Sequence, residues 1–400
     1  MTERDATGKA IGGDAGRVEH GGDFVVAGSR LALLTEGPER LEALIALIAD
    51  ARASLRLLYY TYAADQAGRA VRDALLAALD RGVRVSLIVD GFGSPANQAF
   101  FHPLEARGAD ICRFIPRFGR RYLLRNHQKL ALADDGRALI GGFNIEDAYF
   151  APPSRPEAWR DLGLVVEGPA AERLAGYFDA LAAWAATPRA RMRDLRRALG
   201  QWSQLAGPVR WLIGGPTRRL NPWARAVKDD IRAARRLDMI AAYFIPNPAM
   251  VRRIGNAAQR GPVRIVTAAK SDSLSTVAAA RHTYRRLLRR GVGIYEFQPC
   301  KLHTKLIVVD DTVYIGSANF DIRSLYLNLE LMLRIEDRAF ADHLHGYVDG
   351  ECAASRHVTR AIHRRESGWL ARLRWRMAYY LLAVVDARLT WRLNFGVDAD

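Results

Sequence analysis

Two stretches of this chain carry one pattern, and that duplication restricts the possible folds more than any other feature. The first reads Asn126-His127-Gln128-Lys129-Leu130-Ala131-Leu132-Ala133-Asp134-Asp135 and continues through Ile140-Gly141-Gly142-Phe143-Asn144. The second reads Leu302-His303-Thr304-Lys305-Leu306-Ile307-Val308-Val309-Asp310-Asp311 and continues through Ile315-Gly316-Ser317-Ala318-Asn319. His, Lys, Asp, Gly and Asn keep nearly the same register in both, so chance explains the match poorly. The likeness extends beyond the motif: Arg81-Gly82-Val83-Arg84-Val85 is echoed by Arg260-Gly261-Pro262-Val263-Arg264-Ile265. A domain-sized unit present twice forms a pseudo-dimer, whereas solenoid repeats are far shorter.

The chain has 400 residues, more than one core usually organises, so two domains are expected. With 50% hydrophobic and 26% charged residues it is globular and not disordered. Leu41, Leu44, Ile45, Ile48 and Ala51 at helical spacing predict a helix over 39–53. A buried strand follows over 54–63, then a helix over 69–81 ended by Gly82, and a strand over 83–89. The order returns as helix 224–236, strand 237–245, helix 248–259 and strand 263–268, the alternation of an α/β fold. The expected divisions are a disordered tail at 1–22, a first domain at 23–187, an Arg-rich linker with some helix at 188–221, a second domain at 222–355, and a basic aromatic segment at 356–400. The tail lacks the apolar core of a secretory signal. No apolar run reaches the roughly 18 to 20 residues of a spanning helix, so the chain is expected to be soluble or to lie on a surface. Cys112, Cys300 and Cys352 are odd in number and far apart. They read as small apolar residues in a reducing compartment.

The repeated residue types have a chemistry of their own. Imidazole can attack phosphorus and can also carry a proton near neutral pH. A lysine two residues along a strand faces the same side. His127 with Lys129, and His303 with Lys305, therefore converge. The amides of Asn144 and Asn319 follow on neighbouring strands. Two facing halves would offer paired imidazoles, ammonium groups and amides to a tetrahedral phosphodiester, whose non-bridging oxygens need cationic donors in the transition state. No metal-ligand spacing is visible; no cofactor is expected, and charge stabilisation falls to the two lysines.

In these residues the chain resembles the phospholipase D superfamily, whose mark is the paired His-x-Lys motif. Within it the likeness is to bacterial cardiolipin synthases, carried by Tyr59 to Asp65 with Gly68, Ala242-Tyr243-Phe244-Ile245-Pro246, Ser271-Asp272-Ser273, Gly291 to Glu296, and Gly316 to Ser324 with Asn328 and Glu330. The resemblance implies two α-β-α sandwich domains related by a pseudo-twofold, with the active site between them. It also implies a two-step, metal-independent transfer through a phosphatidyl-histidine, with His127 as nucleophile and His303 as acid and then base, or the reverse. An acidic residue downstream of each motif is implied to hold each imidazole: Asp161 for the first site and Glu330 for the second. Asp134 and Asp310 complete the catalytic motifs and are assigned to holding the fold. One departure is Gly142 where the second copy has Ser317, so only the second half is expected to offer a hydroxyl to the phosphate. The family's N-terminal hydrophobic anchors are missing too, which leaves the mode of membrane attachment open.

With 59 Lys plus Arg against 43 Asp plus Glu, a net charge of +16, the surface suits a polyanion, either anionic membrane or nucleic acid. The segment from Trp369 to Phe395 mixes Trp, Tyr and Leu with Arg372, Arg374, Arg376, Arg388 and Arg392, a composition suited to the interfacial plane of a membrane. It could instead pack on the second domain. Arg117, Arg120, Arg121 and Arg125 could rim the pocket. The expected partners are anionic phospholipids, phosphatidylglycerol and cardiolipin, with no obligate protein partner, and the expected place is the cytoplasmic face of a bacterial inner membrane. Hydrolysis by the same residues is the competing reaction. A nuclease reading is weakened because no basic aromatic groove is visible outside the C-terminal segment.

Overall fold

The computed structural model describes residues 22–115, 124–187, 190–217 and 219–386. The tail before residue 22, Arg117, Arg120, Arg121, Arg388, Arg392 and the aromatic residues after 386 lie outside the described residues. The first half runs β1 (Asp23–Val26), β2 (Ser29–Leu34), α1 (Gly37–Asp50), β3 (Ser54–Tyr59), α2 (Gln66–Asp80), β4 (Arg84–Asp90), α3 (Gln98–Glu105) and β5 (Asp110–Phe114). It continues with β6 (Leu130–Ala133), β7 (Arg137–Gly141), α4 (Asp147–Phe150), β8 (Trp159–Arg160), β9 (Gly163–Glu167) and α5 (Pro169–Ala186). After α6 (Met192–Trp202) the second half opens with β10 (Val209–Gly214), α7 (Pro222–Ala233), β11 (Leu237–Ala241), β12 (Phe244–Ile245), α8 (Pro248–Ala257), β13 (Val263–Ala268) and α9 (Leu274–Leu288). Then come β14 (Gly293–Phe297), β15 (Lys301–Leu302), β16 (Lys305–Val309), β17 (Thr312–Gly316), β18 (Phe320–Asp321), α10 (Ile322–Tyr326), β19 (Glu330–Glu336), α11 (Arg338–Ala353), β20 (Ser355–His357), α12 (Arg360–Glu366) and α13 (Trp369–Tyr380).

One sheet has the order β1-β2-β9-β7-β6-β3-β4-β5 and the other β10-β19-β17-β16-β11-β13-β14-β20. Without the outer strands β1 and β20 the two orders match strand for strand. In each half three strands run parallel, β3-β4-β5 and β11-β13-β14, because helices return the chain between them. The motif strands β6 and β16 instead turn straight back into β7 and β17 as hairpins. Inner faces of both sheets share one apolar core, in which Leu130, Leu132 and Leu164 meet the same cluster as Leu306, Val308 and Leu333, with α5 and α11 contributing. The outer faces are covered separately, the first by α1 and α2 and the second by α7, α8 and α9.

The hairpin corners explain the two aspartates that end the motifs. Asp134 and Asp310 adopt φ of 48° and 50°, a left-handed conformation that Asp tolerates better than most residues. Asp134 accepts backbone N–H bonds from Arg52, Ala53 and Ser54 at 2.7–2.9 Å. Asp310 accepts from the N–H of Arg235 at 3.0 Å and of Arg236 at 2.7 Å. Each ties the far end of its motif strand to the entry of β3 or β11 and takes no part in the cleft described below. Burial alone would raise the Asp134 carboxyl, but the three N–H donors outweigh it and lower it.

The described part of the segment expected as a linker holds the expected helix and, beyond it, a strand of the second sheet. Leu195 and Leu199, four apart on α6, are buried, and β10 hydrogen-bonds along β19 as part of the second sheet. The apolar alternation Val209, Trp211, Ile213 is what a strand buries on one face. The signal was masked by surrounding Arg, Gly and Pro. The expected strands over 54–63 and 237–245 end early, at Tyr59 and Ala241, where the chain turns out to wall the cleft. Phe244–Ile245 forms a separate short ladder with β18.

The described part of the C-terminal segment, up to Asp386, is docked on the second domain. Trp375 and Ala378 of α13 bury against Ile245, Ala278 and Ala279, and Tyr379 donates its hydroxyl to the carbonyl of Pro246 at 2.8 Å. A π-helical turn, Leu381–Val385, extends the helix to Asp386. There Arg323 donates two bonds of 2.6 Å to the carboxylate. Among the described residues no helix is long and apolar enough to cross a membrane.

Candidate active site

His127 and His303 stand where each motif enters its hairpin, just ahead of β6 and β16, and the backbone there pairs with the other half. His127 N–H bonds the carbonyl of Leu329 at 3.0 Å, and Leu329 N–H bonds that of Arg125 at 2.9 Å. In the matching place, β15 runs parallel with β8, and His303 N–H bonds the carbonyl of Arg160 at 2.8 Å. Each histidine is thereby set beside the residue that follows its cross-domain partner: Glu330 after Leu329, and Asp161 after Arg160. His127 Nδ1 lies 3.2 Å from Glu330 Oε2, and His303 Nδ1 lies 2.7 Å from Asp161 Oδ2.

The sequence reading paired each carboxylate with the histidine of its own half, and that pairing is corrected by the structure. The carboxylates are exchanged across the seam. Linear order cannot reveal this, because the exchange follows from one short ladder and one isolated bridge between halves.

Both carboxylates are held rigidly. Glu330 accepts from Ser317 Oγ at 2.5 Å and Ser324 Oγ at 2.7 Å. Asp161 accepts from the N–H of Leu162 at 2.8 Å. Ser317, expected to meet phosphate, thus spends its hydroxyl on Glu330, and through it serves His127. The Gly142 counterpart has a steric reason: a Cβ there would come within 2.6 Å of Asp161 Oδ1. Glutamate is one methylene longer than aspartate and leaves space for the serine.

The lysines face inward and are buried, Lys129 at 1% and Lys305 at 4% exposure. Lys129 Nζ donates to the carbonyl of its own His127 at 2.7 Å and sits over the Tyr60 ring at 5.2 Å. Lys305 Nζ donates to the carbonyl of His303. Desolvation lowers both, Lys129 to about 7 and Lys305 to about 8, against the attraction of Glu330 and Asp161. His127 is lowered by burial and then by Lys129; His303 is lowered to about 3 by burial and then by Lys305. Asp161 moves down in spite of its burial, because Lys305 and His303 outweigh desolvation. Lys305 also acts on His127 and Lys129 on His303, so the four groups share one electrostatic site. An anionic ligand entering it would raise all four and restore their protons.

A cleft of about 440 Å³ opens onto this site, lined by His127, Tyr60, Tyr243, Asn319 and, at its rim, Arg323 and Asp386. Arg125 also lines it, with its guanidinium 4.2 Å from the Phe92 ring. His303 lies deeper, against the edges of Tyr149, Trp159 and Tyr243, with its Nε2 3.4 Å from the Tyr149 hydroxyl. Of the two expected amide donors, only Asn319 faces the cleft, its Oδ1 having no partner among the described residues. Asn144 is committed inside the fold, bonding the Tyr149 hydroxyl and the N–H of Thr61 at 3.1 and 3.2 Å. The sequence reading missed Tyr60, Tyr149, Trp159 and Ser324 as site residues. A lone aromatic or serine on a strand, a loop or a short helix carries no local sign of which way it faces.

A duplicated α/β sandwich with a His-x-Lys pair facing across its seam defines a phospholipase D-like protein. The family model described as "Cardiolipin synthase, PLD-like domain" matches residues 44–182 and 227–350, and the chain belongs to that family. It is 30% identical to cardiolipin synthase 1 of Bacillus cereus over 75% of this chain and 62% of that protein. It is equally 30% identical to cardiolipin synthase A of Edwardsiella ictaluri, over 88% of this chain and 73% of that one. The chain thus spans less than two thirds of the length of the Bacillus relative. Among solved structures, phosphatidylserine synthase of Haemophilus influenzae matches with a TM-score of 0.68 at 14% identity, covering 91% of this chain and 95% of that one. That likeness speaks for the fold alone.

Proposed function

We propose that this protein is a phosphatidyltransferase that makes cardiolipin, joining two phosphatidylglycerol molecules or phosphatidylethanolamine and phosphatidylglycerol at a membrane surface. The observation that carries this reading is the cross-domain clamp: two imidazoles, each held at Nδ1 by a buried carboxylate of the other half, flanking two buried lysines. A single phosphodiester entering the cleft would meet a nucleophile, an acid and two cations together.

In the first step His127, neutral and carrying its proton on Nδ1 toward Glu330, presents a bare Nε2 to phosphorus. An N–P bond forms as the P–O bond to the headgroup alcohol breaks, and His303 gives its proton to the departing oxygen. Asp161 supports the imidazolium, and the phosphate's own charge restores the proton that the empty site disfavours. In the second step His303 takes the proton of the incoming lipid's hydroxyl, whose oxygen attacks phosphorus and breaks the N–P bond. Lys129 and Lys305 balance the non-bridging oxygens throughout.

The test gives the purified protein vesicles of radiolabelled phosphatidylglycerol, alone and with phosphatidylethanolamine, in EDTA. The expected products are cardiolipin and the free headgroup alcohol. Phosphatidic acid in place of cardiolipin would convert the reading to hydrolysis. Intact lipid together with cleavage of added DNA would replace it by a nuclease.

A further inference from the structure

The helix α13 has two apolar faces, and the protein uses only one of them. Ala371, Trp375, Ala378 and Leu382 turn toward α9 and its neighbours. Trp369, Leu370, Leu373, Met377, Tyr380 and Leu381 are all exposed, Trp369 at 70% and Leu370 at 63%. At about 100° per residue these six positions fall within a sector of about 120°, centred opposite the buried face. Arg372 and Arg376 fall on one margin of that sector and Arg374 on the other, and all three are exposed. An apolar stripe bordered on both sides by long cations matches a helix lying in the boundary layer of an anionic bilayer, its side chains entering the acyl region and its guanidinium groups reaching the phosphates.

The position of the helix adds an independent argument. Leu382 and Asp386, at its C-terminal end, line the cleft that leads to His127. On the first domain's side of the same cleft stands Phe92, 65% exposed. Phe92, a large apolar side chain left in water beside an opening that the end of the helix also borders, is explained if that opening faces lipid.

We propose that the exposed face of α13 is the membrane-docking surface, which lies in the headgroup layer of an anionic bilayer and presents the cleft mouth to the lipids it takes up. This rests on the lipid-transferring reading of the site, and it assigns the occupant of the face as bilayer and not a second copy of the chain. A protein dimer would place exposed arginines on both margins against their own copies, a like-charge contact that an anionic surface removes.

The experiment compares the full chain with the Leu370→Ser/Leu373→Ser/Met377→Ser variant by sedimentation with vesicles of phosphatidylcholine and phosphatidylglycerol in a two-to-one ratio. Circular dichroism confirms the fold. The variant is expected to lose at least about tenfold in vesicle affinity, with transfer on vesicles falling in step. Transfer from short-chain lipid below its micelle concentration should stay unchanged. Arg372→Glu/Arg374→Glu/Arg376→Glu should weaken binding to these vesicles and have little effect on vesicles of phosphatidylcholine alone. Unaltered vesicle affinity in the serine variant overturns the proposal, as does a wild-type dimer that the variant converts to monomer while still binding vesicles. If the wild type docks through this face but transfers no lipid in either format, the surface stands and the cardiolipin reading falls.

Discussion

The two motif halves are built alike yet placed differently. His127 opens on the cleft with a side-chain exposure of 12%, while His303 keeps 5% behind Tyr149, Trp159 and Tyr243. The carboxylate serving His127 is a glutamate braced by two serines; that serving His303 is an aspartate pressed against Gly142, where a side chain would collide. One amide, Asn319, faces the cleft and its counterpart Asn144 is used up by Tyr149. The two halves are therefore not equivalent: His127 lines the cleft, and His303 lies behind its aromatic wall. That asymmetry is why the proposed mechanism makes His127 the nucleophile and His303 the proton carrier.

The sharpest way to break that contrast is to remove each ring. His127→Ala should lose at least about a thousandfold with every donor. His303→Ala should lose as much with natural lipid yet regain much of the rate with a nitrophenyl phosphatidyl ester, whose leaving group needs no proton. Nitrophenol release decides it, and the opposite pattern would exchange the two roles.

Next in size are the exchanged carboxylates. Glu330→Gln and Asp161→Asn should each cost roughly a hundredfold in kcat, since a carboxylate that orients imidazole also stabilises its charged form. The cross-domain wiring is read separately by proton NMR. Glu330→Gln should shift the Nδ1–H resonance of His127 and leave that of His303, with Asp161→Asn doing the converse.

Gly142→Ser forces an atom against Asp161 and should destabilise the fold by about 1–3 kcal/mol in denaturant titration. Ser317→Ala removes one brace of Glu330, so its effect should be a few-fold loss of rate with little change in stability. Equal tolerance of both substitutions would mean that the two carboxylate sites are interchangeable after all.

The mildest test is pH. Lys129 and Lys305 hold protons less tightly in the empty folded site, at about 7 and 8, than at their ordinary 10.5. Between those values the unfolded chain binds more protons, so stability of the empty protein rises with pH across that window. A bound phosphodiester needs both lysines charged, so affinity for a short-chain phosphatidylglycerol should fall with rising pH, approaching about tenfold per unit for each lysine above its own value. An affinity flat between about pH 6 and 9 would show lysines already charged in the empty site.

Much of the site is legible in the sequence. His127, Lys129, His303 and Lys305 were marked by spacing, and the strand-helix order by apolar period, because both signals are local. What escaped was non-local. The strand Val209–Gly214 looked like linker because its pairing partner, β19, lies over a hundred residues on. Tyr149 and Trp159 went unremarked in the sequence; both are buried, and that they box His303 depends on where α4 and β8 meet the other half.

The chain's own text determined that there would be two units, α/β in class, each with an imidazole and an ammonium group at one strand entry. Local periodicity and short-range chemistry are enough for that. Only the tertiary structure decided which carboxylate holds which imidazole, which half faces the cleft, and that the aromatic helix docks by one face and leaves the other bare. Those outcomes depend on contacts between residues distant in sequence, made when two similar sheets pack their inner faces into one shared core and leave their short strands to pair across the seam.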